Sequence, residues 1–249
     1  MEIQGKAAIV TGGTGGLGRR ICRTLAAAGA NVVVVYQKSR ESAEAYAAEL
    51  SALGPRSIAV QADITTPDGI EGMIHRTEEE FGRVDALVND AGYNRFIPYK
   101  DLSTLDADVW NYILNYNLTS PFLAMRAVAG VMKRGGQGRI VNISSVAGLY
   151  PSGSSIAYAV SKAALIHLTR CMAVALAPEI LVNSVAPGLM EGTRMTDNLP
   201  PEYQDNARRS TVLGRAADKD DVADAVLTFI RTDSITGQTL VADAGKVFH

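Results

Sequence analysis

Two cysteines and three histidines are all that 249 residues offer for cross-links or soft metal ligation. Cys22 and Cys171 stand in apolar, helical settings, RRICRTLAAAG and LTRCMAVAL, which fits two buried free thiols. His75, His167 and His249 share no metal-ligand spacing, so no metal is expected. Charge of one sign is also lacking. Lys and Arg number 24 against 26 Asp and Glu, a net charge of −2, so there is no basic field to attract nucleic acid. No apolar run approaches the ~20 residues that span a bilayer, so no membrane partner is expected. The start, MEIQGK, has no charged head followed by a long apolar stretch, so no secretory signal is expected and the cytoplasm is the expected location. A Pro/Ser-rich linker and internal repeats are missing too. The expectation is one domain over residues 1–249.

What is present is an alternation. Short apolar, β-branched runs fall at 6–11, 31–36, 56–63, 84–90, 139–145, 180–186 and 238–245. Helical stretches fall between them at 16–29, 41–54, 67–82, 106–135, 156–177 and 218–230, the fourth with a bend expected at Pro121. The strands are apolar nearly throughout, as strands covered on both faces are. The pattern predicts an α/β fold, a doubly wound parallel sheet with helices on both faces. Residues 189–215, polar and with paired prolines, resist a regular reading and suggest a functional lid.

Gly12, Gly16 and Gly18 follow the first strand and open the first helix. Glycine is used where backbone takes positive φ or approaches another group closely. A helix N-terminus with free N–H groups suits a phosphate. A tight strand-to-helix turn explains the same glycines, but the βαβ context favours a dinucleotide. In that setting a carboxylate usually ends the second strand and takes the ribose 2′-OH. Here the strand ends in Tyr36 and Gln37, followed by Lys38, Ser39 and Arg40. A cation and a hydroxyl suit a 2′-phosphate, which points to NADP(H) over NAD(H). A solvated helix start with Ser39 as N-cap accounts for the same residues.

YAVSK places Tyr158 and Lys162 one helical turn apart on one face. A free phenol has a pKa near 10, and a neighbouring ammonium lowers it toward useful acid–base work. An incidental surface pair is the alternative. Other residues argue against it. Ser144 and Ser145 end the strand before this helix, VNDAG puts Asn89, Ala91 and Gly92 at another strand end, and VNSVAPG puts Pro187 and Gly188 at a third. Ligands in parallel α/β sheets sit beyond such carboxyl ends.

TGGTGGLG, NDAG, ISS, YAVSK, NSVAPG and ITGQTLVADAG, in this order and spacing over nearly the whole chain, resemble the short-chain dehydrogenase/reductase family. The resemblance implies a Rossmann-like seven-stranded sheet, a nicotinamide cofactor and hydride transfer between it and a carbonyl or secondary alcohol. It implies Tyr158 as acid–base, with Lys162 lowering its pKa and binding the nicotinamide ribose. Ser145 would hold the substrate oxygen, and Asn117 would anchor a water in a proton relay beyond Lys162. Gly12, Thr14, Leu17, Asp63, Ile64, Asn89 and Gly92 would line the cofactor, with Pro187, Gly188, Leu189 and Thr193 along its nicotinamide end. The chain departs from the family pattern in several places. Asp90 replaces a second Asn that mostly stabilises the sheet. Gly15 stands where a basic residue sometimes marks NADP. Gly192 interrupts the run to Thr193.

In overall feel the chain is similar to 3-oxoacyl-thioester reductases, so a small carbonyl or alcohol substrate, free or carrier-bound, is expected. Sugar 1-dehydrogenases and general alcohol dehydrogenases share the same motifs. A cofactor-binding sensor without chemistry would usually have lost Ser145, Tyr158 or Lys162. Arg95 could meet an acidic group or be a solvated loop charge. The helices at 106–135 and 156–177 carry more apolar surface than one sheet face needs. In the family these two pair across a dimer axis, commonly within a tetramer, so a homotetramer is expected.

Overall fold

The computed structural model describes residues 1–248; His249, read above as no metal ligand, lies outside them. Its strands are β1 Ala7–Thr11, β2 Asn31–Tyr36, β3 Ser57–Gln61, β4 Ala86–Asn89, β5 Gly138–Ile143, β6 Ile180–Pro187 and β7 Thr239–Ala242. They form one parallel sheet in the order β3-β2-β1-β4-β5-β6-β7. β1 illustrates why the strands read as unbroken apolar runs. Ala8 and Val10 pack with Ile21 and Leu25 of α1 (Gly18–Ala27) and Phe229 of α9 (Lys219–Arg231). Ile9 points the other way, into a cluster with Ile70 and Met73 of α3 (Pro67–Phe81) and Met125 and Val128 of α5 (Ser120–Arg134). Each face of the sheet has its own helical layer, and each large side chain buried in it stabilises the fold by about 1.5–3 kcal/mol.

Chain direction across the sheet reverses between β1 and β4, which opens a crevice at their carboxyl ends. At that edge Thr11, Asn89, Asn142 and Ser184 lie in register across β1, β4, β5 and β6. Asn89 Nδ2 donates to Asn142 Oδ1 at 2.8 Å, and Asn142 Nδ2 donates to Thr169 Oγ1 at 2.9 Å. These buried amides satisfy one another and tie the strand ends to α6 (Ile156–Leu176).

Four expectations need correction. The helix expected over 106–135 is broken upstream of Pro121. α4 (Ala107–Leu114) passes into a π-helical turn, Asn115–Thr119, before α5 begins. Pro121 sits in the first turn of α5, where its missing N–H costs nothing. The irregular segment 189–215 contains two short helices, α7 (Arg194–Asp197) and α8 (Pro201–Arg209). Cys171 is exposed, on the outer face of α6, whereas Cys22 is buried. Finally, α6 has 21 residues and is apolar and long enough by composition to cross a membrane. It packs against β6 and buries Ser161, Lys162 and Thr169, so its apolar length serves the core. α2 (Arg40–Ser51) completes the helices.

Candidate active site

The glycine loop is a cradle that any side chain would fill. After Thr11 the chain turns at Gly12 with φ 68°, and a Cβ there would stand 3.0 Å from the Ala91 Cα. Gly18 opens α1, and a Cβ there would collide with the Gly12 carbonyl and stand 2.9 Å from Asp90 Oδ2. The start of α1 has no side-chain cap, which suits an anion there, although Arg19 N already donates to Gly15 O at 3.0 Å.

From this loop a cavity of about 380 Å³ runs along the carboxyl edge of the sheet. Tyr36, Lys38 and Ser39 line one end, and Gly12, Thr14, Gly16 and Leu17 line its floor. Ile64, Ala91 and Gly92 follow, then Ser145, Tyr158 and Lys162. Pro187, Gly188, Leu189 and Thr193 form the wall opposite. Ser39 occupies the N-cap position of α2, yet its hydroxyl makes no capping hydrogen bond. Lys38 is exposed and has no carboxylate partner among the described residues.

Four of the expected site residues do not line the cavity. Gly18 acts through its packing on Gly12. Asp63 is turned to its own loop, where its carboxylate accepts from Thr65 N at 2.9 Å and Thr65 Oγ1 at 2.6 Å, which holds it below the usual carboxylate range. Asn89 is spent on Asn142. Asn117, buried in the π-helical turn, accepts from Tyr93 N at 2.8 Å and donates to Tyr93 O at 2.9 Å and Ser161 Oγ at 3.1 Å. On the side chain one lone pair of Oδ1 remains for a water. Arg95 is exposed and lies outside the cavity lining.

Tyr158 and Ser145 are positioned by two local devices. Ser155 caps α6, accepting from Tyr158 N at 3.2 Å, which fixes Tyr158 in the first turn. Ser145, two residues past β5, accepts from Ala147 N at 3.2 Å and opens a 3₁₀ turn, Val146–Gly148. Burial pushes the Tyr158 phenol up to about 12, and the neighbouring Ser145 hydroxyl opposes part of that rise. Lys162 Nζ lies 5.8 Å from the Tyr158 ring centre and donates to Ile143 O at 2.8 Å. Burial pulls Lys162 down to about 8, against the pull of Asp90. In the free protein burial is the largest influence on the Tyr158 phenol. Asp90 also differs from expectation. Its N–H joins Thr11 Oγ1 at 3.2 Å, as a sheet brace would, but its carboxyl lines the cavity and burial raises it to about 7, opposed by Lys162.

Several wall residues escaped the sequence reading. Tyr150 and Ser154 lie between ISS and YAVSK, a stretch whose two flanking motifs mark it as substrate-facing. Met195, Tyr203 and Lys246 come from the lid and the C-terminus, where no pattern in the sequence pointed to them. Tyr203 Oη accepts from Gly153 N at 3.0 Å, joining α8 to the Tyr150–Ser154 wall.

A glycine cradle, a free Lys and Ser at the far end, and a Ser–Tyr–Lys wall fit a nicotinamide dinucleotide. The family model of the short chain dehydrogenases matches residues 6–204. The chain is a short chain dehydrogenase. As a member of that family it is a nicotinamide-dependent oxidoreductase that interconverts a carbonyl and an alcohol. This dehydrogenase is 38% identical over 245 residues to a 3-oxoacyl-acyl-carrier-protein reductase of Synechocystis sp., covering 96% of each chain. It is 37% identical over 249 residues to a hydroxy(phenyl)methylsuccinyl-CoA dehydrogenase subunit of Thauera aromatica, covering 99% of this chain and 98% of that one. Among solved structures it is similar to an NADPH-dependent 3-quinuclidinone reductase from Rhodotorula rubra. The TM-score is 0.91 at 28% identity, over 98% of this chain and 92% of that one.

Proposed function

We propose that this dehydrogenase reduces the ketone of a 3-oxoacyl thioester with NADPH, working in the cytoplasm as a homotetramer. One observation carries the reading. Ser145, Tyr158 and Lys162 share a wall of a cavity whose other end offers a free Lys38 and Ser39. The thioester is supported by the two relatives above, both named for thioester substrates.

Gly12, Thr14, Gly16 and Leu17 would hold the pyrophosphate, and Tyr36, Lys38 and Ser39 the adenosine with its 2′-phosphate. Thr193, Pro187, Gly188 and Leu189 would flank the nicotinamide. When bound, the nicotinamide supplies the hydride. Ser145 and Tyr158 hydrogen-bond the carbonyl oxygen and polarise it. Tyr158, protonated because burial raises it to about 12, gives its proton to that oxygen as the alcohol forms. The phenolate left behind is stabilised by the Lys162 ammonium, whose Nζ keeps two donors beyond its bond to Ile143 O. Asn117 holds the Tyr93 backbone beside Gly92 and so shapes this end of the cleft.

The tetramer is supported by one face of α6. Val160, Ala163, His167, Cys171 and Val174 follow helical spacing and are all exposed, Val174 at 83%. Tyr112 of α4 and Phe122 of α5 add exposed apolar surface on neighbouring elements.

Paired titrations of NADPH and NADH test the reading, followed by ketone, 3-oxoacyl and aldose substrates with the tighter cofactor. NADPH should bind more tightly, and Lys38→Ala should weaken it about ten- to a hundredfold, the worth of one hydrogen bond to a charged group, without changing NADH. Equal affinity for the two cofactors would overturn the NADP assignment.

A further inference from the structure

Asn94 is buried to 6% exposure, five residues beyond the end of β4, and no step above uses it. Both ends of its amide reach across to the lid. Nδ2 donates to the Met195 carbonyl at 2.8 Å, and Oδ1 accepts from Asn198 Nδ2 at 3.2 Å. One side chain thus grips α7 at its first turn and again just past its last. α7 has only four residues, and Thr196 alone is buried among them. Such a helix cannot hold its own position by apolar burial.

Apart from the contact of Met195 Sδ with Tyr158 on α6, its other side-chain ties run back into its own segment. Thr193 caps α7, accepting from Thr196 N at 3.2 Å, and Thr196 Oγ1 donates to Met190 O at 2.5 Å. Asn94 therefore supplies the side-chain link from α7 to the rim of the sheet. That link fixes what lies on the reaction centre. Met195 Sδ is 3.9 Å from Tyr158 Oη and accepts its hydrogen bond. Met195 Cε would stand 2.5 Å from a Cβ on Gly92. Upstream, the Gly192 carbonyl lies over Gly16 so closely that a Cβ there would collide with it. The lid is thus seated on both the glycine cradle and the acid–base tyrosine.

We propose that Asn94 is a positioning residue, a latch that holds α7 and Met195 closed over Tyr158 and the cofactor cleft. This rests on the reading of Tyr158 as the reacting acid only for its consequence in turnover. Closure excludes water from the reacting groups; a substrate oxygen takes the place of the Met195 Sδ at Tyr158 Oη by moving that side chain alone, while Asn94 keeps the α7 backbone seated. Loss of the latch leaves the acid–base groups intact and makes the closed state harder to reach. The effect falls on KM, while the pH profile set by Lys162 keeps its place.

The test uses the full-length protein and the variants Asn94→Ala and Asn198→Ala. Amide hydrogen exchange is read first, without cofactor or substrate. In Asn94→Ala, residues 193–199 should exchange about three- to tenfold faster, the factor that one ordinary hydrogen bond sets on a local opening equilibrium. Amides of β4 and α6 should keep their protection. Asn198→Ala should accelerate the same stretch by less; its exposed side chain makes misfolding no obstacle. In turnover, KM for the carbonyl substrate should rise several-fold in Asn94→Ala, with the basic limb of the pH profile unmoved. Unchanged exchange over 193–199 in both variants would overturn the latch whatever the activity. A shifted pH profile with unchanged exchange would place Asn94 in proton transfer instead. Failure of the 3-oxoacyl substrates alone would sink the substrate assignment and leave the exchange result standing.

Discussion

Lys162 and Asp90 set the pH behaviour expected of the free enzyme. Burial lowers the ammonium to about 8 and raises the carboxyl to about 7, and each opposes the other's shift. Below about 8 Lys162 keeps its charge and can stabilise the Tyr158 phenolate; above it the charge is lost. The kcat/KM for carbonyl reduction should therefore fall on the alkaline side of about pH 8. Asp90→Asn removes the carboxylate that favours the ammonium, so Lys162 should lose its proton at lower pH. The basic limb of the kcat/KM profile should move toward neutrality in that variant. An unmoved limb would show that Asp90 does not reach Lys162. The motif NDAG announced a departure at this position but not its meaning, because the carboxyl's burial beside Gly18 depends on a strand end and a loop far apart in sequence.

At the scale of elements, caps and close approaches carry the site. Ser155→Ala removes the bond to Tyr158 N that starts α6. It should cost about 1 kcal/mol of stability and lower kcat more than it raises KM, since Tyr158 sits in the freed turn. Denaturant melts and steady-state kinetics read the two effects. Gly18→Ala forces a methyl into the Gly12 carbonyl. It should destabilise the fold by about 1–3 kcal/mol and abolish measurable NADPH binding, while the sheet stays intact by circular dichroism. The strands and most helices were legible because their apolar runs and their Gly and Pro stops act locally. The π-helical turn was not. NYNLT contains no breaker, and the extra residue is accommodated because Asn117 finds partners in Tyr93 and Ser161, which only the folded chain supplies. α8 escaped for a related reason. It buries no residue, so no apolar period marks it, and it is held by Gln204 bonding to the Thr196 and Leu199 carbonyls at 3.0 Å.

Across the whole molecule, the order of the strands decides which residues meet. The reversal between β1 and β4 gathers Thr11, Asn89, Asn142 and Ser184 at one edge and opens the crevice that the lid covers. The motifs at the strand ends made this edge readable from sequence. The lid's contribution was not readable, because Met195 and Tyr203 touch the site only through packing between distant segments. The exposed face of α6 carries open apolar surface, with Val160 and Val174 on it. Val174→Asp should convert the proposed tetramer to a smaller species by light scattering, and a monomeric wild type would contradict that proposal. The most direct test of the enzyme's chemistry compares wild type with Tyr158→Phe in NADPH binding and in turnover of a 3-oxoacyl thioester. NADPH affinity should stay within a few-fold, while turnover falls about 10²–10⁴-fold, the usual worth of a general acid. Full turnover in Tyr158→Phe would contradict the account.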